Sequence, residues 1–311
     1  MEITNRCWPK KKLSRVRAGL KTVIKVRMYS TLLKLLKRES TSSAGVIILL
    51  SFIFMAILAK HIAPYGPADY QYIDGQLARL LPPSKVFWLG TTYYGHDVLS
   101  QIIVGSRCAL IVGFVAAFFL SFIGTNVGLI SGYYGGRIDN LLMRITDIAF
   151  GIPFLPFAIV LIALTRPSIW NIIITITCLG WRTTARVIRS QVLSLKERPF
   201  IKAAKVSGGS DLRIMYFHLL PNVLPMSFLY VALGISWATL SEASLSFLGF
   251  GDPRMVSWGQ MLHYAFVTGA ARSAWWVVLP PGVCITVFSL SGFMVGQFYE
   301  EVVNPRLRRR R

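Results

Sequence analysis

Carboxylates are scarce in this chain: 13 Asp and Glu stand against 34 Lys and Arg in 311 residues, and charged side chains of either sign make up only 15%. An ordinary soluble domain is nearer a quarter charged. With 54% of residues hydrophobic, a water-soluble fold would leave wide apolar areas on its surface, which soluble monomers avoid. The same apolar content excludes a disordered chain. Cysteine is equally sparse. Cys7, Cys108, Cys178 and Cys284 form no C-x-x-C pair and three lie in apolar runs, so they read as small buried hydrophobes rather than disulfides or zinc ligands. His61, His96, His218 and His263 show no metal-ligand spacing. There is no G-x-x-x-x-G-K-[ST] phosphate loop, and Gly132-Tyr-Tyr-Gly-Gly136 lacks the lysine that a phosphate needs. No Ser/His/Asp set suggests itself. These absences leave catalysis, cofactor binding and metal binding without residues. What remains is an all-α membrane protein.

Six stretches are apolar enough to cross a bilayer, which takes about 20 residues of helix. They run from Ala44 to Ala59, Cys108 to Ile130, Ile145 to Leu164, Ile169 through Trp181, Leu224 to Ser241, and Trp276 to Phe298. Pro153 and Pro156 predict a bend in the third, and Pro280 and Pro281 a distortion at the start of the sixth. Four prolines between Ala63 and Arg107 predict an irregular exposed loop with short helices. The segment from Gly251 to Ser273, carrying Trp258, reads as a second exposed loop, and Trp275-Trp276 as an interfacial aromatic belt.

The basic residues sort along these spans. Twelve lie in residues 1–43, two between the second and third spans, eight in residues 182–213 and five in the C-terminal tail, against seven at the opposite ends. Basic residues accumulate on the cytoplasmic side, so both termini are expected there. The excess of positive charge is then a matter of orientation, not of nucleic-acid binding, because the charges flank apolar spans instead of forming one basic face. The chain divides into a basic cytoplasmic region (1–43), a first transmembrane helix (44–62), an extracytoplasmic loop (63–107), a transmembrane core (108–298) with a cytoplasmic loop at 182–220, and a basic tail (299–311). The basic stretch before the first span is too long for a signal peptide, so that span reads as a retained anchor. Leu13, Val16, Leu20, Val23 and Ile24 recur at helical spacing among basic residues, which fits either a helix on an anionic leaflet or a solvated basic tail.

Between the fourth and fifth spans, Pro199 opens a helix that Gly208 and Gly209 interrupt, and Ser210 or Asp211 is placed to cap a second short one. Ala203 and Ala204 put small side chains on the first, and Lys202, Lys205 and Arg213 are available to an acidic partner. Composition alone leaves open whether this hairpin is a docking surface or a solvated loop. Among charges at membrane depth, Glu242 with Ser244 and Ser246 fits either a pathway lining or an interfacial carboxylate bonded to nearby backbone. Asp139, Arg144 and Asp147 suggest a local structural network.

Ala203-Ala204, Gly208 and His218-Leu-Leu-Pro-Asn222 resemble the Glu-Ala-Ala…Gly…Leu-Pro loop of ABC importer permeases. Further blocks are Trp88-Leu-Gly-Thr91, Gly95-His-Asp-Val-Leu-Ser100, Gly132-Tyr-Tyr-Gly-Gly-Arg137, Glu242-Ala-Ser-Leu-Ser-Phe-Leu-Gly249, Ser257-Trp-Gly-Gln-Met-Leu262 and Asn304-Pro-Arg-Leu-Arg308. Taken in order, they resemble the second permease subunit of the dipeptide/oligopeptide/nickel-type importers. Lys202 stands where the signature is acidic, Thr92-Tyr93 where the family has Asp-Glu, and His96 where it has Arg. The resemblance implies a type I importer permease fold of six transmembrane helices. It implies that Lys202, Ala203, Ala204, Gly208, Ser210, Asp211, Arg213 and Pro221 belong to an ATPase-coupling loop, and that Glu242, Ser244, Ser246 and Trp258 lie toward the pathway or outer face. It also implies a homologous second permease, two ATPase subunits that hold the ATP and Mg, and an extracytoplasmic binding protein. Peptides, oligosaccharides or nickel chelates would be the cargo. An ATP-independent secondary transporter or channel would show an ion site or inverted repeat, and neither is evident.

Overall fold

The computed structural model of the protein describes residues 40–303. The helical spacing at Leu13–Ile24 and the Asn304–Arg308 block lie outside the described residues. Within these residues the secondary structure is helical, apart from one small hairpin, with irregular connections at 63–97 and 251–257. Helix α1 (Ser40–Ile62) leads into the hairpin strands β1 (Tyr72–Ile73) and β2 (Gln76–Leu77). There follow α2 (Val98–Tyr134), α3 (Gly136–Gly151), α4 (Phe154–Thr165), α5 (Ile169–Lys196) and α6 (Pro199–Val206). The long composite helix α7 (Asp211–Phe250), α8 (Trp258–Val267) and α9 (Leu279–Val303) complete the chain.

Among the described residues, four helices are long and apolar enough to cross a membrane: Ala44–Ile62, Val98–Tyr134, Asp211–Phe250 and Trp275–Glu300. The α3–α4 pair qualifies as a fifth if read as one broken span. Helix α5 reaches about 42 Å, long enough to cross, but Arg182, Arg186, Arg189 and Lys196 make its second half basic. Those four cations are why apolarity alone yields five spans where the sequence suggested six.

Helix α2 is the axis of the bundle and packs on α5, α7 and α1, while α9 closes against α7 and α1. It begins at Val98, ahead of the apolar run at Cys108, because Asp97 caps it: the carboxylate accepts from Ser100 N–H at 2.8 Å and Ser100 Oγ–H at 2.7 Å. Gly124, Gly128 and Gly132 form a stripe toward α5. A Cβ at those positions would lie 2.6 Å from the Trp181 carbonyl oxygen, 2.5 Å from that of Ala185 and 3.0 Å from that of Arg189. Small residues at this spacing let two membrane helices touch backbone to backbone, which replaces the hydrophobic drive that lipid removes.

The bend predicted at Pro153 is an 89° elbow between α3 and α4. Pro153 has no N–H to continue the ladder, and it holds Ile152 extended at φ −84°, ψ 119°. In the segment 63–97 the expected short helices do not form. Asp74 and Gly75, both at positive φ, instead turn a two-residue hairpin. Of the cysteines, Cys108 is buried, Cys284 partly so, and Cys178 exposed, so the expectation of uniformly buried thiols fails for Cys178.

Candidate functional site in the connection between α5 and α7

Pro199 occupies the first turn of α6, where its missing N–H costs nothing. Ile201 and Ala204, three apart, point inward. Ile201, with Ile214, Met215 and Leu219, is fully buried against Leu129, Tyr133, Ile188 and Val192 of α2 and α5. The connection is therefore seated on the ends of both helices. Polar contacts pin it further: Tyr133 Oη–H donates to Asp211 Oδ1 at 2.6 Å, Lys205 Nζ lies 5.0 Å from the Tyr133 ring centroid, and Tyr216 Oη–H donates to Asn126 at 2.9 Å.

The opposite face is open. Lys202, Ala203, Lys205, Gly208 and Arg213 are exposed, and so are Val206 and Leu212. Ala204 is half-buried at its edge. Gly208 has φ +77°, which ends α6 in the left-handed region, and Gly209 N–H donates to Ala204 O at 3.1 Å. Ser210 sits at the cap position but makes no capping hydrogen bond, and Asp211 is engaged by Tyr133; the expected side-chain cap is absent. Lys202 pairs with Glu197 at 3.1 Å, both more than half exposed. Small and apolar side chains thus share an exposed face with Lys202, Lys205 and Arg213.

Leading back from this surface, Ile214–Leu219 is π-helical. Pro221 and Pro225 lack donors, so the carbonyls one turn before them lose partners, and the ladder widens. Asn222 Nδ2 donates to the His218 carbonyl at 2.6 Å, satisfying one group that the proline-rich entry disturbs.

Beside the connection, Asp139 of α3 receives Arg189 of α5 through two bonds, Nε at 2.5 Å and Nη2 at 2.6 Å, and also accepts from Ser131 Oγ–H. Lys196 Nζ donates to Gly132 O at 3.0 Å. The network expected among Asp139, Arg144 and Asp147 is therefore not internal to α3. Its partners come from α5, with Asp147 meeting Arg186 at 2.7 Å. Sequence reasoning missed Tyr133, Arg186 and Arg189, because these contacts join residues 39 to 78 positions apart.

At the other end of the bundle the expected outer-face residues divide. Ser244 is exposed and bonds back to the Leu240 carbonyl, 2.8 Å. Glu242 is buried: it accepts from Ser246 Oγ–H at 2.6 Å and from Cys108 Sγ–H at 3.8 Å, so its partners are side chains of α7 and α2 rather than backbone or an open path. Ser246 is buried with it. Trp258, placed by sequence in an exposed loop, is 2% exposed. Its indole N–H donates to Ile102 O at 3.0 Å, and its ring packs edge-on to Phe52 and Phe288. Glycines admit it: a Cβ on Gly105 would fall 3.0 Å from the indole, and Gly259 lets the α8 backbone lie on Ala243. Trp276 is likewise docked, donating to Thr91 O at 3.2 Å, while Trp275 stays exposed. A cavity of about 570 Å³ opens at this end, lined by Tyr70, Thr92, Tyr93, Tyr94, His96 and Tyr264, and so includes three of the positions that depart from the family pattern.

Residues 124–309 match the family model described as the inner membrane component of binding-protein-dependent transport systems, and residues 31–83 match the N-terminal TM domain of oligopeptide transport permease C. The dipeptide transport system permease protein of Alkalihalophilus pseudofirmus is 37% identical over 278 residues, covering 88% of this chain and 89% of that one. The oligopeptide transport system permease protein of Bacillus subtilis is 33% identical over 275 residues, 88% of each. An inward-facing structure of the MetNI methionine ABC transporter superposes with a TM-score of 0.53 at 21% identity, over 66% of this chain and 97% of that one, which shows a shared fold. The connection between α5 and α7, seated below and open above, stands within the matched region, and the chain belongs to the family of multi-pass inner membrane permease components of binding-protein-dependent transport systems.

Proposed function

We propose that this chain forms half of the translocation pathway of an ATP-driven peptide importer. A homologous permease supplies the other half, two ATPase subunits bind ATP and Mg, and an extracytoplasmic binding protein delivers the cargo. Both termini lie in the cytoplasm, as the twelve basic residues before the first span and the five in the C-terminal tail favour. The observation that carries the coupling role is the α5–α7 connection. Its buried face is locked to α2 and α5, so a load on its exposed face is passed to the two helices beneath.

Ala203, Ala204 and Gly208 form the ATPase contact in this reading, with Lys202, Ser210, Asp211, Arg213 and Pro221 framing it. The basic margin suits an acidic cleft. Cargo is assigned to peptides because two relatives similar over nearly the whole chain are named for dipeptides and oligopeptides. Proteoliposomes holding the two permeases and two ATPases, supplied with binding protein, are expected to take up a labelled dipeptide only with ATP. Ala203→Trp should abolish uptake while leaving the isolated permease as thermally stable as wild type, since Ala203 is exposed. Uptake by that variant at the wild-type rate would refute the coupling assignment. Import of a nickel chelate or an oligosaccharide in place of peptide would reassign the cargo within the same family.

A further inference from the structure

Midway along α5, where an apolar helix would suit a membrane best, stand two arginines one turn apart, facing the elbow between α3 and α4. Arg186 Nη2–H donates to Asp147 Oδ1 at 2.7 Å. Both guanidinium groups lie over the Phe150 ring, Arg182 at 4.9 Å and Arg186 at 4.1 Å from its centroid, and Arg182 Nη1–H donates to the Ala149 carbonyl. We propose that Asp147 and Arg186 form an intramembrane subsite that takes the two main-chain charges of a peptide in transit, its carboxylate on Arg186 and its ammonium on Asp147. This rests on the peptide-importer reading above.

Two ion pairs on the same helix separate a structural from a receptive role. Asp139 and Arg189 are mostly buried and joined by two bonds, with Ser131 completing the carboxylate. Nothing further is needed there. Asp147 and Arg186 are 64% and 52% exposed and share a single bond. Among the described residues, Asp147 Oδ2 and the remaining N–H groups of Arg186 have no protein hydrogen-bond partner. A guanidinium carries five donors, so most of its capacity is turned outward.

Such a pair does not face lipid, because exposing ionised groups to hydrocarbon is among the costliest arrangements a membrane protein can adopt. The elbow strengthens the point. Irregular backbone at membrane depth is tolerated where it is covered by protein or lines water, and broken helices in transporters gather at their substrate sites. Contact with Phe150 holds both guanidinium groups at the break, Arg182 with a bond to the Ala149 carbonyl and Arg186 with donors to spare beyond its single bond to Asp147. Two arginines against one aspartate leave a net positive charge at the break, which favours the carboxylate of a zwitterion entering first.

The test uses the assembled transporter in proteoliposomes, with binding protein preloaded with a labelled dipeptide. Arg186→Gln and Asp147→Asn are each expected to lower uptake about tenfold or more, the loss of one charge-assisted bond, in complexes assembled to wild-type yield. The exchanged pair Asp147→Arg with Arg186→Asp should restore the internal ion pair but not uptake, since the charges then meet the peptide beside Arg182 in the wrong order. Asp147→Cys, in a Cys178→Ser background, should react in the assembled transporter with a charged, membrane-impermeant methanethiosulfonate. Full uptake by the exchanged pair, or an unreactive cysteine in complexes where the wild type imports peptide, would overturn the subsite alone. A wild-type transporter that imports another solute and no peptide would overturn the cargo reading, and the subsite with it.

Discussion

The two ends of this helix bundle treat their unusual residues in opposite ways. At one end Glu242, Ser246 and Trp258 are drawn inward and find partners within the chain. At the other, Ala203, Val206, Gly208 and Leu212 are held out on a buried footing of Ile201, Ile214, Met215 and Leu219. The first arrangement is a packed core, sensitive to volume. The second resembles a handle, whose exposed part is free to change without cost to the fold while its root is not. Residue type does not distinguish them, since a tryptophan is buried in one and a valine exposed in the other. For Trp258 the room comes from Gly105 and Gly259, which have no counterpart beside Val206 among the described residues.

Mutations sharpen this contrast in order of expected effect. Trp258→Ala should lower the stability of the detergent-solubilised permease by about 3–5 kcal/mol, read as a fall in melting temperature; a change under about 1 kcal/mol would show that this end is not a core. Gly128→Leu forces a side chain against the Ala185 carbonyl and should cost about 1–3 kcal/mol, with a matching loss of α2–α5 proximity in engineered cross-linking. Tyr133→Phe removes the bond to Asp211 for about 1 kcal/mol. Its larger effect should appear as ATP hydrolysis that no longer tracks uptake, because the root of the handle is loosened. Lys202→Ala should leave the melting temperature unchanged, since its partner Glu197 is equally exposed and such pairs contribute little. A clear loss of stability there would mean that the exposed face is part of the packed structure after all.

Much of this architecture is legible from local chemistry. The apolar runs anticipate the helices, Pro153 the elbow, and Pro199 with Gly208 the bounds of α6. The short helix between the fourth and fifth spans is legible too, because a proline and two glycines bound it, but its composition leaves open whether it docks a partner or is a solvated loop. What the sequence withholds is pairing across distance. Nothing in Asp139 or Asp147 announces Arg189 or Arg186, and nearby Arg144 is the nearer candidate by position. Trp258 was misplaced for a related reason: its polar surroundings suggest exposure, and only Gly105, 153 positions earlier, together with adjacent Gly259, makes room for it. The start of α2 lies ten residues ahead of the apolar run at Cys108 because the cap at Asp97 recruits the mixed stretch Val98–Arg107 into the helix, and hydropathy does not register capping.

Helix α2 runs unbroken for 37 residues, about 55 Å, nearly twice the hydrocarbon thickness. Its first turn is tied to Tyr65 through Ser100, and its last holds Asp211 through Tyr133. A tilt of 10° about the first turn would carry Tyr133 through about 10 Å. With the loop bonded to that tip, a push on the loop is geared up or down by the position of the pivot. Small rotations near the Asp97 end would therefore demand large displacements of the loop, and in the proposed importer the placement of a pivot along α2 would set how far the ATPases must move in one transport step.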